Sequence, residues 1–176
     1  MYKPSEDSYL LASCLKECLK NKDKNIKILD MGSGSGILAE TCKNLGFNNI
    51  LTADIDKEAI SFLKKKGFEA IKSDLFSNLK KDKFSLIVFN PPYLPQDKYD
   101  KKKDTTGGKQ GYEIIVKFLK NAKEHLNKKG KILLLFSSLS KPEIIKKQAE
   151  ELDYKTKLLN KKRFFFEELF VYELES

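Results

Sequence analysis

The run Ile26-Lys27-Ile28-Leu29-Asp30-Met31-Gly32-Ser33-Gly34-Ser35-Gly36 constrains this chain more than any other feature. Its first half is short and apolar enough for a buried strand, and its second half is a glycine turn that opens a helix at about Ile37. A strand that leaves through such a turn into a helix belongs to α/β architecture. Short apolar runs repeat the theme at Asn49–Asp54, Phe68–Ile71, Phe84–Asn90 and Lys131–Phe136, all suited to buried parallel strands. Amphipathic stretches alternate with them. Tyr9–Leu19 gathers Leu11, Cys14, Leu15 and Cys18 on one face, and Tyr112–Leu126 gathers Ile115, Val116, Leu119 and Ala122. Ser140-Lys141-Pro142-Glu143 has capping-box spacing and predicts a helix running to about Glu151. After Tyr154 the helical period stops, and two β-prone runs, Thr156–Leu159 and Glu168–Leu174, predict a closing antiparallel hairpin. The expected fold is α/β and Rossmann-like: a seven-stranded, mostly parallel sheet with helices on both faces and a C-terminal antiparallel hairpin, forming a single domain over residues 1–176.

Composition narrows the chemistry. The three cysteines, Cys14, Cys18 and Cys42, lack C-x-x-C spacing, and His125 is the single histidine, so neither a zinc site nor a Cys-His nucleophile is expected. Cys14 and Cys18 read as core residues, and His125 as a surface or interface residue. No run approaches the ~20 apolar residues of a membrane span, and Glu6 and Asp7 stand where a signal peptide would be apolar, so a cytoplasmic location is expected. The net charge of +9 favours anionic partners, but every basic residue except Arg163 is Lys, which lacks the planar fork that reads phosphate or guanine bidentately. Lys64-Lys65-Lys66 and Lys128-Lys129 are expected near helix ends, where they complement the helix dipole. A solvated Lys-rich surface accounts for this charge better than a dedicated nucleic-acid groove.

Gly32 and Gly34 allow a ligand close to the backbone, but Ile37 stands where a dinucleotide fingerprint needs its third glycine, and no Gly-Lys-Ser/Thr follows for a phosphate loop. Asp30, at the strand end, would repel a pyrophosphate and attract an ammonium and a sulfonium, as in S-adenosylmethionine. Asp54 ends the second strand, where a carboxylate can accept from both ribose hydroxyls, while Asp56 is better placed as the next helix cap. Asp74 follows the third strand, positioned to accept from an adenine amino group while Leu75 covers the ring. Three acids at three successive strand ends behind a glycine turn resemble the cofactor site of class I S-adenosylmethionine-dependent methyltransferases.

Directly after the fourth strand come Asn90-Pro91-Pro92-Tyr93. Prolines have stiff backbones and no N–H, so the carbonyls before and between them can point rigidly into a cleft beside the Asn90 side-chain oxygen. Tyr93 adds a flat face. Such a clamp suits a planar group bearing an NH2, whose nitrogen is a poor nucleophile and needs positioning. No general base is evident.

The Asn-Pro-Pro-Tyr motif resembles those of amino-group methyltransferases acting on adenine N6, guanine N2 or glutamine amides. Tyr2-Lys3-Pro4-Ser5-Glu6-Asp7-Ser8-Tyr9-Leu10-Leu11 and Gly107-Gly108-Lys109-Gln110-Gly111-Tyr112-Glu113 are similar to segments of the HemK family of protein-(glutamine N5) methyltransferases, particularly its short archaeal and eukaryotic branch. The resemblance spans nearly the whole chain. It implies methylation of the glutamine in the Gly-Gly-Gln loop of a class I translation release factor, with S-adenosylmethionine as cofactor. It implies cofactor contacts from Ser8, Asp30, Gly32, Asp54, Asp74 and Leu75, and a substrate clamp from Asn90, Pro91, Pro92 and Tyr93. Spacing alone does not single out Ser8, because Ser5-Glu6-Asp7 reads equally well as a cap and an acidic first turn. Ser8 stands where the family more often has Thr. The short branch often works with a small zinc-binding activator subunit, so the resemblance allows a heterodimer.

The polar segment Pro95–Gly111 reads as a lid or a surface loop, in which Gly107, Gly108 and Gly111 let the chain fold over a bound peptide. Lys98, Lys101, Lys102, Lys103 and Lys109 would steer an acidic or RNA-like partner. The alternative reading is a nucleic-acid amino methyltransferase acting on adenine N6 or guanine N2. It shares the clamp but would normally bring an aromatic-studded basic groove, and Phe164-Phe165-Phe166 sit in the terminal hairpin instead. Nucleic acid is thus not required for binding and not excluded.

Overall fold

A computed structural model of the chain describes residues 3–96 and 106–176. Seven strands form one sheet in the order β3-β2-β1-β4-β5-β7-β6. Strands β1 (Ile28–Met31), β2 (Ile50–Asp54), β3 (Glu69–Lys72), β4 (Phe84–Phe89) and β5 (Leu126–Ser137) run parallel. The last two, β6 (Lys155–Arg163) and β7 (Glu168–Glu175), form the predicted antiparallel hairpin, with β7 inserted against β5.

The alternation of side chains along each strand divides the core in two. Leu29 and Met31 of β1, Ile87 and Phe89 of β4, and Leu134 and Phe136 of β5 face Ile115, Phe118 and Leu119 of α4 (Glu113–Ala122) and Ile145 of α5 (Pro142–Glu151). Ile28, Leu86, Val88, Leu133 and Leu135 face the other way, onto Leu11, Leu15 and Leu19 of α1 (Glu6–Leu19), Leu38 of α2 (Ile37–Asn44) and Leu63 of α3 (Lys57–Lys65). The order reverses between β1 and β4, so a crevice opens at their carboxyl ends.

Several sequence expectations change in detail. Helix α1 begins at Glu6 rather than Tyr9, with Ser5 at its N-cap position but making no side-chain cap bond. Glu6 and Asp7 form the acidic first turn, where Glu6 pairs with Lys162 of β6 and Asp7 is buried. The helix expected over Tyr112–Leu126 ends at Ala122, followed by a 3-10 turn over Lys123–His125, and Leu126 already belongs to β5. The register with β4 slips between Phe84↔Leu126 and Leu86↔Lys131, so Lys128 and Lys129 lie on a bulged strand and cap no helix. His125 is buried rather than superficial: its Nδ1 lies 2.9 Å from the Asp82 carbonyl, and its ring stacks on Phe76. Cys14 is buried as expected, and Cys18 is half-buried. Ser140 does not cap α5, where Lys141 holds the N-cap position in the left-handed region. Ser140 instead closes a capping box with Ser137 around its own 3-10 turn. Asp56 caps α3 as predicted, accepting from Glu58 N–H at 2.9 Å. Phe165 and Phe166 stand exposed at the tip of the β6–β7 hairpin.

Candidate active site

A cavity of about 430 Å³ opens at the carboxyl ends of β1, β2 and β4, beneath the first turn of α1 and beside α4. Gly32 and Gly34, Asp54, Asp74 and Leu75, Asn90 through Tyr93, and Ser8 all line it. The structure therefore brings together every residue expected at the site except Asp30.

At the glycine turn the backbone passes through left-handed angles at Gly32 (φ 61°), Gly34 (φ 48°) and Gly36 (φ 81°). A Cβ on Gly32 would come within 3.2 Å of the Phe89 ring, so position 32 is closed to side chains by conformation and by space. Asp54 braces the turn: Oδ2 accepts the Gly34 N–H and Oδ1 the Asp56 N–H, both at 2.8 Å. Each oxygen keeps a second lone pair for a ligand hydroxyl.

Asp30 is absent from the lining. It follows Ile28 by two residues and so points to the α2 face, where Oδ2 accepts the Ala39 N–H at 3.1 Å. Its Oδ1 is buried and has no partner among the described residues. Burial pushes this carboxyl up to about 8.

Past β3, Ser73 ties the turn that carries Asp74 and Leu75. It donates to the Leu75 carbonyl at 2.6 Å and accepts the Asn78 N–H at 3.0 Å. Leu75 is held at φ 50°, an uncommon conformation for a non-glycine residue and one that a closely tied turn can sustain. Asp74 Oδ2 is engaged by Lys117 of α4.

The clamp is fixed at both ends. The Asn90 amide nitrogen donates to Asp7 Oδ2 at 3.1 Å, while Asn90 Oδ1 is buried with no described partner. At the far end the Tyr93 carbonyl accepts from Ser140 Oγ at 2.9 Å, and the Tyr93 hydroxyl lies 3.5 Å from Asp7 Oδ2. The glycines of the following segment pack on the clamp's backbone instead of arching over open space. A Cβ on Gly107 would meet the Pro92 carbonyl oxygen at 2.5 Å, and one on Gly111 would strike the Tyr93 carbonyl oxygen. Gly107 N–H donates to the Leu94 carbonyl at 2.9 Å. Of the expected steering lysines, Lys98, Lys101, Lys102 and Lys103 lie outside the described residues, and Lys109 is exposed.

Two site residues escaped the sequence reading. Asp7 lines the cavity from the first turn of α1, and its signal was present: Asp7, Leu11 and Leu15 share the apolar stripe, where a carboxylate is out of place. Lys117 lines the rim beside Asp74, and its charge gave no hint of that position.

Comparison with known proteins bears on the family and the fold. The chain is 34% identical over 97% of its length to a Methanocaldococcus jannaschii protein named for protein N5-glutamine methyltransferase activity, covering 89% of that protein. It is 32% identical, over 65% of its own length, to the release factor glutamine methyltransferase of Lactococcus lactis, of which it spans about half (48%). Among solved structures, the E. cuniculi Mtq2–Trm112 complex, responsible for methylation of the eRF1 translation termination factor, contains a chain with TM-score 0.82 at 24% identity, covering 99% of this chain and 98% of that one. Residues 6–164 match the model of the methyltransferase small domain, and this chain belongs to that family.

Proposed function

We propose that this chain methylates the side-chain amide nitrogen of the glutamine in the Gly-Gly-Gln motif of a class I translation release factor, with S-adenosylmethionine as the methyl donor. One observation carries the reading. Asn90 has committed its donor to Asp7 and keeps a buried acceptor that no described group satisfies. A buried unpaired acceptor beside two prolines is completed by an incoming N–H, which a carboxamide supplies.

The residues present suit the cofactor. Asp54 keeps free lone pairs for ribose hydroxyls, and Asp74 with Leu75 borders the part of the cavity open to an adenine ring, whereas Asp30, turned toward α2, takes no direct part. Ser8, Gly32, Gly34 and the Asn90 side chain complete the cradle. Bound S-adenosylmethionine would supply an electrophilic methyl group to the amide nitrogen, with S-adenosylhomocysteine as the other product and the displaced amide proton released to water.

The chain's own contribution is positional. Asn90 Oδ1 and the Pro91 carbonyl accept the two amide hydrogens and hold the nitrogen in one orientation. Because these bonds strengthen as nitrogen gains positive charge, they lower the barrier more than they stabilise the bound substrate. Tyr93 stacks on the amide plane. Gly32, Phe89 and Leu75 give this part of the cavity an apolar wall. A release factor substrate supports a cytoplasmic site of reaction. Separately, among the described residues no helix is long and apolar enough to cross a membrane.

The test is mass spectrometry of a purified class I release factor after incubation with the chain and S-adenosylmethionine. A parallel arm adds a small zinc-binding subunit, since the E. cuniculi neighbour is a two-protein complex. The expected result is one methyl group on the motif glutamine and none on the Gln→Ala factor. Label appearing in tRNA, rRNA or DNA and not in the factor would overturn the reading in favour of a nucleic-acid amine.

A further inference from the structure

An asparagine amide has nearly the same shape when turned over, but the flip exchanges an acceptor for a donor. A clamp that must accept from an NH2 therefore needs something to hold Asn90 one way. Asp7 meets that need. An ionised carboxylate can only accept, so it pairs with Asn90 Nδ2 and not with Oδ1. Asp7 is itself immobilised: Oδ1 accepts the Ser8 N–H at 2.6 Å and faces Ser8 Oγ at 3.3 Å, which leaves Oδ2 for Asn90 and the Tyr93 hydroxyl. Its place in the first turn of α1 puts negative charge at the positive end of the helix dipole. Leu11 and Leu15, fully buried against the sheet, anchor that helix.

We propose that Asp7 is the positioning residue that fixes the Asn90 amide with its oxygen toward the substrate, and so makes the site select a carboxamide over a carboxylate. The assignment rests on the function proposed above, although the orientation itself can be measured without substrate. A flipped Asn90 would present N–H groups, which repel an amide NH2 and welcome the oxygens of a glutamate.

Two measurements decide it. In the wild-type chain, the Asn90 side-chain amide proton bonded to Asp7 is expected to exchange with solvent at least about tenfold more slowly in NMR than in Asp7→Asn, since buried hydrogen-bonded protons are protected. An unprotected Asn90 proton in wild type would overturn the proposal, whatever the substrate proves to be. In transfer assays, Asp7→Asn is expected to lower kcat by about tenfold to a hundredfold, with S-adenosylhomocysteine affinity and thermal midpoint close to wild type. A factor carrying Gly-Gly-Glu should inhibit this variant more strongly than it inhibits wild type. In the swapped pair Asp7→Asn/Asn90→Asp, the donor and acceptor change places and an oxygen still faces the cavity, so part of kcat should return relative to Asn90→Asp alone. An unchanged kcat in Asp7→Asn, or losses in kcat, cofactor affinity and midpoint that move together and are not relieved by the swap, would overturn it. Failure of wild type to methylate the factor would defeat the proposed function and leave the exchange measurement to decide the role of Asp7.

Discussion

Lys117 Nζ lies 2.9 Å from Asp74 Oδ2 at the rim of the cavity, so the carboxylate proposed to receive an adenine amino group already holds a cation. Both side chains are more than half exposed, at 57% and 55%, and a pair of this kind contributes only about 0–1 kcal/mol. The ion pair therefore competes weakly with a ligand. Lys117→Met is expected to change S-adenosylhomocysteine affinity by less than about fivefold, whereas Asp74→Ala, which removes a charged acceptor, should weaken it about tenfold or more. Isothermal titration of the two variants checks this. A larger loss in Lys117→Met than in Asp74→Ala would show that the lysine, not the carboxylate, recognises the base.

Gly107 has no left-handed backbone to protect, and its constraint is purely spatial. Its Cβ would fall 2.5 Å from the Pro92 carbonyl oxygen, and the neighbours it meets are backbone atoms that cannot swing aside. Gly107→Ala should displace the clamp by a fraction of an ångström to about 1 Å, which is enough to cost roughly a hundredfold in kcat. Because the Gly32 turn and Asp54 lie elsewhere, S-adenosylhomocysteine affinity should stay within about threefold. A variant with wild-type kcat would mean that the clamp does not depend on this contact.

What could be read from the sequence was local. Asp54 and Asp74 each follow an apolar run, so their place at strand ends needed only the strand period, and Asn90 inherited its place from Phe84–Phe89. Asp7 showed only as a carboxylate on the apolar stripe of α1, and its partner Asn90, 83 residues on, lies beyond any spacing rule. Asp30 shows where parity adds something: two residues after Ile28, it had to face α2 rather than the cavity. Ser140 had the pattern of a helix cap, but its hydroxyl donates to the Tyr93 carbonyl, a tertiary partner, and accepts the Ser137 N–H within its own 3-10 turn, so it is not spent on α5. The helix expected to reach Leu126 stopped at Ala122 because Leu126 pairs with Phe84, and sheet pairing overrode helical periodicity.

Phe118 is the pivot of the α4 face. It is fully buried, with its ring 4.5 Å from Phe89 and 5.4 Å from Phe76, centroid to centroid. Phe89 in turn walls the glycine turn. Phe118→Ala is expected to lose about 3–5 kcal/mol of stability, the usual cost of deleting a buried ring. Denaturant unfolding followed by circular dichroism measures it. A loss below about 1 kcal/mol would mean that the face repacks freely and that Phe89 is not held by it.

Asp30 gives the chain a pH dependence with a definite sign. Burial raises its carboxyl to about 8 in the folded chain, against about 3.9 when unfolded. Between these values the folded state keeps a proton that the unfolded state releases, so this group makes the fold less stable as pH rises through that window. Below about pH 4 both states are protonated and the contribution vanishes, while above about pH 8 the penalty is complete, on the order of a few kcal/mol. Asp30→Asn removes the titration and keeps an oxygen to accept the Ala39 N–H. Without ligand, the variant should match wild type near pH 4, gain on it steadily, and be the more stable protein at pH 8 in urea unfolding. Stability curves for the two proteins that run parallel from pH 4 to 8 would show that Asp30 is ionised throughout, and would remove the argument that burial behind the glycine turn holds its proton.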